Sequence, residues 1–235
     1  MIPLRLHRRY LTTNGNSILQ FIQFNPKFDG LKDKILKDLM IIPNFVDSTT
    51  QSILVKEADK KLKRTWGKVY EENHFDSVIQ GYRECIASDW AEDVGQEFAN
   101  AKTQPIIKNA ANQVRERLGM PNLTFSPPHI LDLRDGQSGI RPHVDHLKAF
   151  GSIISGICLI SPCVIVFKDK NTNEECFRLL LEANCLYAQK DFVRFNFTHE
   201  IPMTEDDNHS FRGKHIIRNR RITVMLRDNL VQFQK

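Results

Sequence analysis

The chain changes texture once, and that change limits the folds open to it. From Asp29 to about Gly119 the patterning is mostly helical. Asp47-Ser-Thr-Thr-Gln-Ser-Ile-Leu-Val-Lys-Glu-Ala-Asp-Lys-Lys-Leu opens with capping residues and continues with helix formers, and the stretches 88–99 and 104–118 read the same way. Pro105 suits a first helical turn and Gly119 a left-handed stop. Past Met120, Pro121, Pro127 and Pro128 break this pattern. Short β-rich runs then follow at 129–133, 152–160, 164–167, 176–181, 192–197 and 221–226. Turn formers such as Asp135-Gly-Gln-Ser-Gly, Ser161-Pro and Lys170-Asn-Thr-Asn separate them. Strands spaced this way without helices between them predict an antiparallel sandwich or barrel. The expected organisation is a leader over 1–28, a helical region over 29–120 and a β core over 121–235.

The formal net charge of +5 is concentrated at the start. Residues 1–28 carry Arg5, Arg8, Arg9 and Lys27 and no acid, so the rest of the chain, with 29 bases left of the 33 against all 28 acids, is nearly neutral. A neutral body gives no compositional support for a phosphate-binding surface. The leader, with arginines and hydroxyl residues but no apolar core segment after them, has the features of a mitochondrial transit peptide and not of a secretory signal. At 235 residues the chain suits one domain of ordinary size. No run approaches the roughly 18 apolar residues of a membrane-spanning helix. The five cysteines, Cys85, Cys158, Cys163, Cys176 and Cys185, lack C-x-x-C spacing. Neither a disulfide framework nor a thiolate zinc site follows from them, and a reducing compartment is the simpler expectation.

One constellation carries chemistry. His143-Val-Asp145 sets an imidazole and a carboxylate at i and i+2, on one face of an extended segment. With a distant second histidine, such a pair can occupy one face of an octahedral Fe(II) and leave the other open for a bidentate co-substrate and O₂. The motif alone is weak: with 8 His in the chain, about half an instance arises by chance, and His74-Phe-Asp76 is a second one. The sequel distinguishes them. After His143 come several strand-like runs and then His199, which follows the alternation Phe195/Phe197, although His209 and His215 also precede the final strand. Arg221 and Arg227 then share one face of that strand, separated by roughly 20 Å of backbone. Leaning toward each other, their guanidinium forks leave a gap that fits a five-carbon diacid such as 2-oxoglutarate.

The ordered set His143-x-Asp145, His199 and Arg221-x₅-Arg227 resembles the Fe(II)/2-oxoglutarate dioxygenases of AlkB type, most nearly the mitochondrial AlkB homologue seven subfamily. His129-Ile-Leu-Asp-Leu, Arg141-Pro-His-Val-Asp, Gly151-Ser-Ile-Ile-Ser-Gly-Ile-Cys-Leu-Ile-Ser-Pro, Leu186-Tyr187, Phe197-Thr-His-Glu-Ile and Arg220-Arg-Ile-Thr-Val support the resemblance. It implies an α+β fold with a double-stranded β-helix (jelly-roll) core and N-terminal helices packed on it. It also implies Fe(II), 2-oxoglutarate and O₂ as the reacting partners. His143, Asp145 and His199 would be the iron ligands and Arg221 the anchor of the far carboxylate. Arg227 would lie near the metal-side carboxylate, and Tyr187 would hydrogen-bond the co-substrate. The acidic stretch from Thr204 to His209 looks longer than the family expects.

The substrate is less constrained. Base-repairing enzymes stack a flipped base on aromatic residues, whereas residues 100–142 hold only Phe125. Duplex DNA is therefore disfavoured. The resemblance implies a mitochondrial matrix enzyme acting on a protein or other matrix substrate, with roles in programmed necrosis and fatty-acid metabolism. Alternatives are a mitochondrial tRNA demethylase and a non-catalytic regulator that binds iron and 2-oxoglutarate. Trp66, Tyr70, Phe75, Tyr82 and Trp90 either cover the site or, more simply, join helices to the β core. His129 is open between core packing and site lining.

Overall fold

The computed structural model describes residues 18–230. Of the leader expected over 1–28, residues 1–17 lie outside the described residues, while Ile18, Phe21 and Ile22 are buried against the β core. The elements in chain order are β1 (Ile22–Phe24), α1 (Lys32–Lys37), β2 (Leu39–Ile42), α2 (Ser48–Trp66), β3 (Glu71–Asn73), β4 (Ile79–Ile86) and α3 (Gln104–Leu118). They continue with β5 (His129–Leu133), β6 (Gly139–His143), β7 (Phe150–Leu159), β8 (Cys163–Asp169), β9 (Glu175–Leu181) and β10 (Leu186–Lys190). The last are α4 (Asp191–Asn196), β11 (Phe197–Ile201), β12 (Ser210–Phe211), β13 (Lys214–His215) and β14 (Arg221–Asn229).

Apart from the β12–β13 hairpin, the strands form one antiparallel sheet in the order β1-β9-β8-β11-β6-β4-β5-β14-β7-β10-β2, with β3 on β4. The sheet is curled. Ile165, Phe167, Phe177 and Phe197 from one half share a core cluster with Leu131, Leu133, Cys158, Tyr187 and Met225 from the other. This is the expected jelly-roll-like core, and α2 and α3 cover its outer face. Alternate residues of the same strands, Ile130, Ile157, Leu186, Ile222, Val224 and Leu226, pack outward against Leu54, Ala58, Leu62, Ile107 and Val114 of the helices. Strands buried on both faces read as near-continuous apolar runs, which is why 152–160 and 221–226 stand out in the sequence.

The long helices start and stop where local chemistry dictates. Asp47 caps α2 by accepting from the Thr50 amide at 2.7 Å, and Gly67 ends it with φ 62°. Gly119, at φ 66°, closes α3; this left-handed conformation favours glycine. Two expectations need correction. Residues 88–99 form only a short 3-10 turn, Ser88–Trp90. Gln104 donates to the carbonyls of Ala91 and Val94, and Asp89 O accepts from the Asn100 amide, so tertiary partners take carbonyls a helix would have used internally. The run 192–197 is helix α4 rather than a strand, its first turn held by Asp38 accepting from the Phe192 amide at 2.9 Å.

The region 29–120 is also not purely helical. β4 lies between β5 and β6 in the middle of the sheet, and β2 closes its far edge. Behind β4 the fully buried Asp132 accepts from Arg83, Arg220 and the Tyr70 hydroxyl, the satisfied form in which a buried carboxylate is tolerated. Trp66 donates to the Glu84 carbonyl and Trp90 is wholly buried. Those aromatics join helix to sheet; Tyr82 sits in the core, and Phe75 is 91% exposed. No described helix is long and apolar enough to cross a membrane.

Candidate active site

β6 and β11 pair with His143 directly opposite His199, which brings two residues far apart in sequence into contact. Their rings lie 4.3 Å apart, centroid to centroid. Asp145 follows in the loop after β6, and its Oδ1 is 3.4 Å from His143 Nε2 and 3.3 Å from His199 Nε2. One ligand atom from each of the three residues lies within 4.8 Å of the others. Among the described residues this is the group of its kind, and two imidazoles with one carboxylate is the donor set suited to Fe(II) with open positions.

The surrounding bonds prepare these atoms. His143 Nδ1–H donates to the Arg141 carbonyl at 3.0 Å, which leaves Nε2 free as a ligand atom. Asp145 is buried. Burial alone would raise its carboxyl, but the neighbouring His143 and His199 imidazoles and the charge of Arg227 hold it well below the usual carboxylate range. His199 is shifted down, first by burial and then by the neighbouring His143, so its neutral, metal-binding form is favoured. Arg227 Nε donates to Asp145 Oδ2 at 2.9 Å, fixing the oxygen that is not turned to the histidines. Arg194 of α4 donates to the Asp145 carbonyl and to the Gly151 carbonyl, both at 3.1 Å, and so ties down both ends of the β6–β7 loop.

Arg221 and Arg227 both project into the barrel from β14, as their shared face predicts. Arg221 is 2% exposed. It contacts Thr223 Oγ1, donates to Cys158 Sγ at 3.2 Å, and leaves Nε without a partner. No carboxylate among the described residues pairs with it. A buried guanidinium that no carboxylate neutralises is costly, and this interior suits an anionic group from outside. Tyr187 of β10 is beside it: burial, then Cys158, pushes its hydroxyl up while Arg221 opposes. Gly156 opens this space, since a Cβ there would lie 2.8 Å from Thr223 Cγ2 and 3.1 Å from Tyr187 Cε1. The residues present therefore fit both Fe(II) and a dicarboxylate.

Sequence reasoning left one neighbour, His129, open and missed two, Glu84 and Arg194. His129 Nδ1 bonds Arg227 at 2.8 Å and its Nε2 bonds Glu84 at 2.9 Å, so this histidine lines the site. Glu84 was hidden in a strand read as helical. Arg194 gave no signal, because its role depends on contacts across the fold. His74 and Asp76 form no second centre; they bond each other at 2.6 Å on the β3–β4 turn, with His74 Nε2 3.7 Å from Glu84. His209 is structural, bonded to the Ile216 carbonyl and the Val164 amide, and His215 is exposed. The acidic stretch leads into the β12–β13 hairpin, whose Phe211 packs on Val164 and Val166.

The sequence pattern of the 2OG-Fe(II) oxygenase superfamily matches residues 38–227. The chain is 32% identical over 195 residues to the alpha-ketoglutarate-dependent dioxygenase alkB homolog 7, mitochondrial, of Mus musculus, spanning 83% of this chain and 80% of that protein. It is 33% identical over 193 residues to the Bos taurus protein of the same name, spanning 82% and 79%. Two solved structures share the fold. One is a prolyl hydroxylase in complex with a hypoxia inducible factor oxygen degradation domain peptide fragment from Trichoplax adhaerens, with TM-score 0.50, 10% identity and coverage of 86% and 91%. The other is OsALKBH1, with TM-score 0.54, 13% identity and coverage of 82% and 98%.

Proposed function

This chain belongs to the 2OG-Fe(II) oxygenase superfamily and is a 2-oxoglutarate-dependent dioxygenase of AlkB type, and from that premise we propose a role for each residue of the site and a mitochondrial setting for the reaction. His143, Asp145 and His199 hold the iron. Arg221 anchors the far carboxylate of 2-oxoglutarate, Tyr187 hydrogen-bonds it, and Arg227 stands beside the metal-side carboxylate while holding Asp145. The observation that carries this reading is the convergence of the three ligand atoms within 4.8 Å, with a buried guanidinium in the same barrel that no described carboxylate pairs.

Bound iron and 2-oxoglutarate supply O₂ activation, coupling decarboxylation of the co-substrate to succinate with oxidation of a substrate C–H bond. The chain's own contribution is geometric and electrostatic. His143 and His199 present Nε2, and Arg227 keeps Asp145 ionised and turned toward them. Arg221 selects a co-substrate with two acidic ends, and the apolar barrel around Tyr187 and Met225 excludes water from the chelate. The substrate enters from the side of the β3–β4 turn and the β6–β7 loop, where Phe75 and Leu147 are exposed.

A mitochondrial location is supported by relatives named mitochondrial at 32–33% identity, and the matrix is the compartment proposed. A protein or small matrix substrate is favoured over duplex DNA. Phe125, the one aromatic residue of 100–142, is buried under Arg115 and gives no stacking platform. A part in programmed necrosis and fatty-acid metabolism goes with the subfamily resemblance. Anaerobic addition of Fe(II) and 2-oxoglutarate tests the site: a visible metal-to-ligand charge-transfer band is expected from the native chain and none from His143→Ala. A band undiminished in His143→Ala would overturn the ligand assignment.

A further inference from the structure

The floor of the barrel holds thiols where a surface salt bridge would hold carboxylates. Cys158 on β7 accepts from Arg221 at 3.2 Å. Asn184, at φ 70°, turns the chain into β10; asparagine is among the few residues that visit this region readily. In that turn the Asn184 amide bonds the Cys158 carbonyl at 2.7 Å, and the Cys158 amide bonds the Cys185 carbonyl at 2.9 Å. Ile157 pairs with Leu186 in the adjoining register, so Cys185 faces Cys158 across the ladder. Facing positions in antiparallel strands are about 4.5–5.5 Å apart at Cα, inside the range a disulfide spans. Both thiols are buried and belong to the core cluster inside the barrel.

We propose that Cys158 is a peroxide-oxidisable thiol that closes a disulfide with Cys185 when the Arg221 anchor lacks 2-oxoglutarate. The inference rests on the reading of Arg221 as the carboxylate anchor. The groups that face Cys158 are Cys185, Cys163, Tyr187 and Arg221. Burial opposes ionisation of Cys158, but the Cys185 thiol and the Arg221 charge overcome it and hold Cys158 below the usual thiol range. Cys185 is held protonated, first by its bond to Cys158 and then by burial. The two thiols thus have unequal roles, a nucleophile and a resolving partner. The Cys158 thiolate attacks one oxygen of hydrogen peroxide, the O–O bond breaks, and hydroxide leaves as water after taking a proton, giving a sulfenic acid. The Cys185 sulfur then displaces the sulfenic oxygen, which leaves as water with the thiol proton. Two thiols and one peroxide become one disulfide and two waters. A co-substrate carboxylate on Arg221 withdraws the guanidinium from Cys158 and blocks the approach, so occupancy of the anchor protects the pair.

The full chain, loaded with Mn(II) in place of iron so that metal–peroxide chemistry does not compete, is treated with hydrogen peroxide with and without saturating 2-oxoglutarate. Peptide mass spectrometry under non-reducing conditions is expected to show a Cys158–Cys185 linked peptide without 2-oxoglutarate, its yield falling about tenfold with it, a change of roughly 1.4 kcal/mol in occupancy terms. Dithiothreitol should reverse it. Cys185→Ser should stop at a sulfenic acid trapped by dimedone at Cys158, and Cys158→Ser should leave Cys185 reduced. Exclusive oxidation of Cys85, the half-exposed thiol, or a cross-link yield indifferent to 2-oxoglutarate, would overturn the proposal. Calorimetric binding of 2-oxoglutarate to the reduced protein separates the two claims. No binding refutes the anchor reading, whereas binding without the cross-link refutes only the thiol switch.

Discussion

Arg227 and Asp145 are joined end to side: the guanidinium Nε holds the outer carboxylate oxygen at 2.9 Å while its NH1 bonds His129. A guanidinium only donates, so His129 accepts through Nδ1 and donates through Nε2 to Glu84. The chain Glu84–His129–Arg227–Asp145 therefore has a fixed direction. Partners of this kind set the orientation and basicity of a metal ligand and are typically worth about 10–100-fold in affinity or activity. His129→Leu should weaken iron binding and lower succinate production by about tenfold. His129→Gln, which can accept and donate in the same sense, should recover most of the loss. Equal losses in both variants, measured by metal titration and turnover, would show that packing rather than bond direction matters.

Replacement of Arg221 separates ligand binding from stability. Arg221→Met should raise the dissociation constant for 2-oxoglutarate by about 100-fold, because a lost buried charge pair costs roughly 2–5 kcal/mol. The ligand-free protein should melt at the same temperature or higher, since a buried cation without a carboxylate partner is removed. Calorimetry and thermal denaturation of the same sample check both parts.

Tyr70 and Phe75 lie close in sequence but should behave oppositely. Tyr70→Phe removes a 2.9 Å bond to the buried Asp132, and stability should fall by about 1.5 kcal/mol in urea titrations with turnover unchanged. Phe75 is 91% exposed, its ring 4.2 Å from that of His74 beside the site. Phe75→Ala should alter stability by no more than about 0.5 kcal/mol. It should lower kcat/KM for the substrate while leaving uncoupled 2-oxoglutarate consumption unchanged.

His209 gives a pH dependence of stability. Its Nδ1–H donates to the Ile216 carbonyl, so Nε2 must accept from the Val164 amide. Burial, with the charges of Arg218 and His215, lowers it to about 4, while the Ile216 bond acts in the opposite sense. In the unfolded chain it titrates near 6.5, so between these values the unfolded state binds more protons. Stability from this group is complete above about 6.5 and declines as pH falls toward 4, by at most about 1.4 kcal/mol per pH unit. Urea unfolding at stepped pH should show a shallower slope in His209→Gln. Parallel slopes for the two proteins would refute the assignment.

The three side chains that converge, His143, Asp145 and His199, were legible in the sequence because their order along the chain is distinctive. The partners of those residues were not. Glu84 lies in β4, whose run Ile79-Gln-Gly-Tyr-Arg-Glu-Cys-Ile lacks plain alternation because Arg83 and Glu84 both serve ion networks. The alternation Phe195/Phe197 pointed to His199 through a strand, but the residues just before it form α4, captured by Asp38. A local pattern cannot register a partner more than a hundred residues away. The β5 and β14 strands were read closely to their observed limits, since burial on both faces leaves an apolar run with little ambiguity.

β14 has consequences beyond its length. Its inward side carries both guanidiniums, and its outward side, Ile222, Val224 and Leu226, is clamped by helices α2 and α3. The helical layer thus acts as a jig for the distance between the two cationic tips. On the proposed reading that Arg221 and Arg227 serve the two ends of the co-substrate, trimming Val224, which touches nothing that reacts, should loosen the grip on a diacid of one chain length and admit longer or shorter ones, putting part of the discrimination behind the wall.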